Sequence, residues 1–185
     1  MKCPHCHTTD LLPTMIEEFL PAMGCGACHG ALVSLLYYRH WAEAQKEPAT
    51  ADPARPTPTV VTTDTTEAIT CTKCSRVMTK YKISGAVANR VDVCSTCDDA
   101  WLDGGEWELL EALHLSHKIP AILTDTWQRR IRRELTADTR RSVLVRMVGE
   151  EAARRVEDFG EWLDENAHKS HILTYLYKNR QAPER

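Results

Sequence analysis

All eight cysteines of this 185-residue chain fall into Cys-x-x-Cys pairs: Cys3/Cys6, Cys25/Cys28, Cys71/Cys74 and Cys94/Cys97. Eighteen residues separate Cys6 from Cys25, and nineteen separate Cys74 from Cys94. Two Cys-x-x-Cys motifs about 15–20 residues apart have the spacing of a four-cysteine metal site, and here that arrangement occurs twice. Each pair suits a tight turn whose backbone N–H groups point at the sulfurs. A hairpin between the turns brings the second against the first, and four thiolates close a tetrahedron at about 2.3 Å from a zinc ion. The expectation is an internal duplication with two zinc ions, one per four-cysteine set.

Two of the motifs continue into histidine, as Cys3-x-x-Cys6-His7 and Cys25-x-x-Cys28-His29. That pattern also matches the attachment signature of a c-type haem. Haem accounts for only half of the cysteines, because Ser75 and Asp98 follow the other two pairs. Rubredoxin-like iron uses the same four thiolates as zinc. The alternative to a zinc protein is therefore a redox or electron-transfer protein carrying iron or haem. Under the zinc reading His5, His7 and His29 are exposed turn residues rather than ligands.

The start of the chain, Lys2 followed by cysteines, has no apolar h-region, so no secretory leader is expected. In a reducing cytoplasmic setting close cysteine pairs read as metal ligands rather than disulfides. The net charge is only −3, so bulk electrostatics do not drive binding to nucleic acid or to a membrane surface. No window approaches the roughly 18 apolar residues of a membrane span.

The second copy is the more legible. VMTKYKISGAVANRVDV alternates as a β-hairpin does, with Ser84-Gly85 as its turn. Beyond Cys97, Asp103 is expected to cap a helix with Glu106 three residues on, and Trp107, Leu110 and Leu113 follow at helical spacing. Trp101 is expected to pack that helix onto the ribbon. Over residues 71–113, CTKC…CSTCDDAWLDGGEWELL resembles the bacterial zinc-ribbon family named after transcription factor IIB. The first copy, CPHC…CGACHGALVSLLYYRHWAE, resembles a diverged member without the Asp-x-Gly-Glu signature. Family members often carry Gly directly after each Cys-x-x-Cys, where His7, His29, Ser75 and Asp98 stand here. The resemblance implies a ribbon fold with all eight cysteines as ligands.

Residues 46–68 are rich in Pro, Thr, Ala and Asp, with Val60 and Val61 as their large apolar residues, and read as a flexible linker. Ahead of them, ALVSLLYYRHWAEAQ reads as a short helix. The expected fold class is a small metal-stabilised α+β protein. A first zinc ribbon with its closing helix spans 1–45, the linker 46–68, a second ribbon with its helix 69–117, and a helical region 118–185. In that last region Trp127, Ile131 and Leu135 form one apolar stripe, and Val143, Leu144, Met147 and Val148 a second segment. Val156, Phe159, Trp162 and Leu163 mark a third, and a last helix is capped by Ser170. Together they are expected to make a small helical core.

Arg129, Arg130, Arg132, Arg133, Arg140 and Arg141 form a basic stretch, and further along Glu157, Asp158, Glu161, Asp164 and Glu165 form an acidic one. They are candidates for contact with a phosphate backbone or with carboxylates of a protein partner. No nucleophile elbow, phosphate loop or His-Glu-x-x-His is present. The expected function is a cytoplasmic, non-enzymatic adaptor that binds a protein or a nucleic acid in transcription or RNA metabolism, with neither a membrane nor a small-molecule substrate.

Overall fold

The computed structural model describes residues 1–44 and 60–179. It divides into two units, residues 1–134 and 135–185. In the first, β1 (Leu12–Glu17), β2 (Leu20–Gly24) and β3 (Ala31–Ser34) precede α1 (Leu35–Ala44). Then come β4 (Thr79–Lys82), β5 (Arg90–Cys94) and β6 (Asp99–Leu102), followed by α2 (Glu106–Ala112) and α3 (Ile119–Ile122). The long helix α4 (Asp125–Val148) leads into the second unit, which contains α5 (Glu150–Asp164) and α6 (Lys169–Asn179).

The six strands form one antiparallel sheet in the order β1-β2-β3-β6-β5-β4. Each copy of the cysteine motif contributes a three-stranded half, and the halves join through β3 and β6. Their register pairs Leu32 with Trp101 and Val33 with Ala100. Leu32 follows Cys28 by four residues and Trp101 follows Cys97 by four. Each therefore faces its own counterpart, and the duplication closes on itself about a pseudo-twofold. The independent ribbons expected from the sequence are in fact one sheet.

Successive residues of a strand point to opposite faces, and the two faces hold different cores. Leu32 and Trp101 lie in one buried cluster with cysteines from both metal sets, Leu11, Ile69 and Met78. Val33, Ala100 and Leu102 point the other way, into an apolar core with Tyr38 and Trp41 of α1 and Trp107, Leu109 and Leu110 of α2. The Tyr38 hydroxyl donates to the Ser116 carbonyl at 2.7 Å and accepts the Ile119 N–H at 3.1 Å. Trp41 meets Trp107 edge to face at 5.3 Å and stacks on His117 at 4.8 Å. The closing helix of the first copy thus packs on the helix that follows the second.

Several expectations change on this frame. Of the expected linker, residues 46–59 lie outside the described residues, but 60–68 are docked. Val60 packs against the helix-side core, and the Thr63 N–H donates to the Gly104 carbonyl at 2.9 Å. Threonines satisfy that strap through hydrogen bonds, which a count of apolar residues does not register. The segment ALVSLLYYRHWAEAQ starts as strand β3, because pairing to β6 claims its first four residues, and turns helical at Leu35. Ser84 and Gly85 do lie in the loop between β4 and β5.

In the second unit α5 buries only Ala153 and Leu163. Val143 and Leu144 belong to the same helix as Trp127 and Ile131 rather than to a segment of their own. Val143, Met147, Val148, Val156, Phe159 and Trp162 are exposed, so the expected helical core is not formed by these side chains. Ser170 lies inside α6, and Asn166 Oδ1 accepts the His168 N–H ahead of it instead.

The packing at the sheet centre is tight enough to test. A Cβ on Gly30 would lie 2.3 Å from Trp101 Cζ2 and 3.0 Å from the Leu102 carbonyl oxygen, whereas one on Gly26 meets nothing within 4 Å. Gly30→Ala should therefore cost about 1–3 kcal/mol of stability by overpacking, and Gly26→Ala should lie within about 0.5 kcal/mol of the parent. Thermal or denaturant unfolding of the two variants checks both.

Candidate metal centres

Each cysteine pair sits in a turn with one repeated geometry. The N–H of the residue after the second cysteine donates to the carbonyl of the first: His7 to Cys3, His29 to Cys25, Ser75 to Cys71 and Asp98 to Cys94, at 2.8–3.1 Å. Those four residues have φ of 57°, 59°, 59° and 55°, in the left-handed region that costs any residue with a Cβ. The turn curls the chain so that amide N–H groups face sulfur, with the Cys6 N–H at 3.5 Å from Cys3 Sγ and the Lys73 N–H at 3.4 Å from Cys71 Sγ.

The structure brings the eight cysteines together as the spacing requires. Within each set, Cys3/Cys6/Cys25/Cys28 and Cys71/Cys74/Cys94/Cys97, the sulfurs lie within 4.8 Å of one another. Cys3–Cys28, Cys6–Cys25 and Cys74–Cys94 are each 3.6 Å apart. A tetrahedron with 2.3 Å metal–sulfur bonds has an edge of about 3.8 Å, whereas a disulfide needs about 2.05 Å. All eight are free thiols, and both sets could hold a metal ion.

Their electrostatics favour a cation. The Thr9 backbone N–H, with help from the Thr8 hydroxyl, lowers Cys6 to about 5. Burial pushes Cys28 up, and a hydrogen bond with Cys74, reinforced by burial, pushes Cys97 up to about 12. Crowded sulfurs cannot all ionise in the absence of positive charge. A divalent ion removes that conflict by binding all four as thiolates.

Ion pairs surround the metal turns, one of them between the two copies and one within the second. Arg39 of α1 grips Asp98 with two hydrogen bonds of 2.6 and 2.8 Å, and that contact holds the Asp98 carboxyl below its usual range. Asp98 also offers its carbonyl to the Leu35 N–H at 2.8 Å. Lys73, between the cysteines of its pair, reaches the buried Asp99 at 2.8 Å.

The Asp103/Glu106 motif departs from the expected cap. Glu106 Oε2 does accept the Asp103 N–H at 2.9 Å, which is one half of a capping box. The other half is missing, because Gly105, at φ 81°, is the residue that begins the helix. A Cβ there would meet the Val61 carbonyl oxygen at 2.3 Å. The Asp103 carboxylate instead accepts the Trp101 indole N–H at 2.8 Å and the Thr65 N–H at 2.5 Å. His5 Nδ1, in the first metal turn, lies 3.3 Å from Asp103 and 2.9 Å from the Thr65 hydroxyl. His5 is therefore a bridge rather than a free turn residue. Asp103 clasps the strap, β6 and the first metal turn.

Asp64, Asp103 and Glu106 place carboxylate oxygens within 4.8 Å of one another. Each carboxylate already accepts a donor: Arg90 on Asp64, Trp101 and Thr65 on Asp103, Asn89 and the Asp103 N–H on Glu106. Hydrogen bonds thus account for most of this cluster, but Asp64 Oδ1 is buried without a partner. Burial pushes Glu106 up to about 8. Trp101 is fully buried between the two cysteine sets, so its role is packing. Thr65, Asn89 and Arg39 belong to no local sequence pattern: Thr65 and Arg39 act where the two copies meet, and Asn89 joins the strap to Glu106.

The six arginines all lie on α4 and are exposed. Arg129 pairs with Asp125, Arg130 pairs with Glu134 and stacks 4.2 Å from the Trp127 ring centroid, and Arg141 pairs with Glu150 and Glu157. No helix among the described residues is long and apolar enough to cross a membrane. Comparisons with protein-family models, curated proteins and solved structures find no match to this chain.

Two measurements follow from this geometry. Ser75→Gly should stabilise the metal-loaded protein by about 0.5–1 kcal/mol, since glycine accepts the left-handed turn without the Cβ clash. Glu106, raised above its unfolded value near 4.5, binds a proton more tightly folded than unfolded. Its contribution is therefore fully present below the unfolded value and is lost as pH rises toward 8. At saturating metal, wild type should lose stability relative to Glu106→Gln between pH 5 and pH 8.5, as read by denaturant titration at each pH.

Proposed function

We propose that the chain is a non-enzymatic zinc-ribbon adaptor, with one structural zinc in each four-cysteine set and a surface offered to a protein partner in transcription or RNA metabolism. The observation that carries this reading is the shared cluster holding cysteines of both sets with Leu32 and Trp101. Metal placed there stabilises the sheet from within. Four thiolates fill a tetrahedral ion and leave no position for water or substrate, which is the arrangement of structural rather than catalytic zinc. The likeness of residues 71–113 to the transcription factor IIB-type ribbon agrees with that role.

The arginines favour a protein partner over a nucleic acid. At least three of the six already take carboxylates of their own chain, and the net charge of −3 supplies no general attraction to phosphate. Arginine forks that bind carboxylates here can exchange them for those of a partner.

Metal analysis of the purified chain with an absorption spectrum tests the assignment. Two zinc ions per chain and no visible absorption are expected; bound iron or a haem Soret band would sink it in favour of electron transfer. Because the halves share one sheet, Cys71→Ala should weaken zinc binding at Cys3/Cys6/Cys25/Cys28 as well. Retention of one zinc at parental affinity, with half the sheet intact, would show that the copies are independent.

A further inference from the structure

A row of paired residues crosses four strands on the helix side of the sheet. Leu12 stands opposite Gly24, Gly24 opposite Ala31, and Ala31 opposite Leu102. Large side chains occupy the ends of the row and small ones its middle, which leaves a trough. Ile16 of β1 and Trp107 and Glu108 of α2 line the same space, a cleft of about 390 Å³. Leu12 faces a glycine across the trough and stays 64 % exposed. A concave apolar site with a few polar groups at its edge is the usual form of a binding site.

Negative charge collects at this cleft. Glu108 lines it, Glu17 follows Ile16 and accepts the Trp107 indole N–H at 3.2 Å, and Glu111 shares a hydrogen bond with Glu17. Glu108 and Glu111 stand three apart on α2 and so neighbour each other on its surface. No ion pair among the described residues reaches Glu17, Glu108 or Glu111. Partial burial, the hydrogen bond to Glu17 and repulsion from Glu17 and Glu108 push Glu111 up to about 7. A proton held between two carboxyls there takes the place of a missing cation.

We propose that this cleft binds an arginine side chain of a protein partner, with its methylene stem in the trough and its guanidinium against the Glu17, Glu108 and Glu111 carboxylates. The occupant must join an apolar stem to a cationic head, which long basic side chains do. Carboxylates from two elements suit the five N–H donors of a planar guanidinium better than a point charge. The same carboxylates repel a phosphate backbone, so the occupant is protein and not nucleic acid. This inference rests on the adaptor reading in that the arginine belongs to another protein; it adds which surface is used and what that surface recognises.

Titration of the full, metal-loaded chain with the blocked tripeptide acetyl-Gly-Arg-Gly-amide tests this, followed by the NMR resonance of the Trp107 indole N–H. That N–H donates to Glu17, so its signal should shift and saturate. The citrulline analogue keeps the stem and shape but not the charge, and should bind at least about tenfold more weakly. Glu108→Lys and Glu111→Lys, both at exposed positions, should keep the circular dichroism and metal content of the parent and each weaken binding at least about fivefold. Leu12→Ser should weaken it as well, by removing apolar surface from the trough. A signal that does not move, a citrulline peptide that binds equally, or indifference to both charge reversals would each overturn the proposal. Self-association of the chain that Glu108→Lys abolishes would overturn it too, by making an arginine of a second copy the occupant. Zinc is measured on the same sample, so a two-zinc chain that ignores the peptide overturns this inference and leaves the adaptor reading standing.

Discussion

The pairing of β3 with β6 is the contact on which the first unit depends. It sets Leu32 against Trp101 and draws cysteines of both metal sets into one buried cluster. Two small ribbons with separate metals would each have little surface to bury. Joined edge to edge, each covers the other's open strand, and the exposed ladder that invites aggregation is used inside the chain instead. On the opposite face the same pairing brings α1 and α2 close enough to build an aromatic core around Trp41, Trp107 and His117. Metal held by the cysteines would therefore stabilise from one side the object that hydrophobic burial stabilises from the other.

Around that seam lie charged groups whose partners belong to the other half. Arg39 reaches from the first copy to Asp98 in the second, and Asp103 of the second reaches His5 of the first. Asp103 is almost fully buried, and a buried carboxylate is tolerable only with donors on its oxygens. Trp101 and Thr65 provide them. The Asp-x-Gly-Glu segment thereby locks the halves together, which gives these carboxylates a structural use that needs no catalytic role. The four residues held at positive φ after the cysteine pairs show a related compromise. Asp98 carries a left-handed backbone, but its side chain earns the Arg39 contact that glycine could not make.

Much of the metal site was legible in the sequence because its determinants are local. A Cys-x-x-Cys turn is defined within a few residues, and a hairpin of known length brings two turns together, so the grouping of all eight cysteines into two candidate metal sets follows from spacing. The α2 helix and the loop at Ser84-Gly85 were legible for the same reason. The strap was not, since Thr63 and Thr65 dock through backbone and hydroxyl groups that composition does not weigh. The capping pattern points to Asp103 as a helix cap, but it says nothing of the indole and the amide that claim its carboxylate. The apolar stripe of α5 was legible as periodicity; only the folded chain shows that Leu163 is buried while Val156, Phe159 and Trp162 stay exposed among the described residues.

By itself the sequence determined the two four-cysteine groups, the duplication and the α+β character, since cysteine spacing, hairpin length and helical periodicity all act over fewer than about twenty residues. The tertiary structure alone decided that the two copies form one sheet, that Trp101 sits at its centre, and that the strap, His5 and Asp103 close over the joint. These depend on edge pairing between segments about seventy residues apart, whose register is chosen by the burial of both faces at once and leaves no periodic trace in either segment.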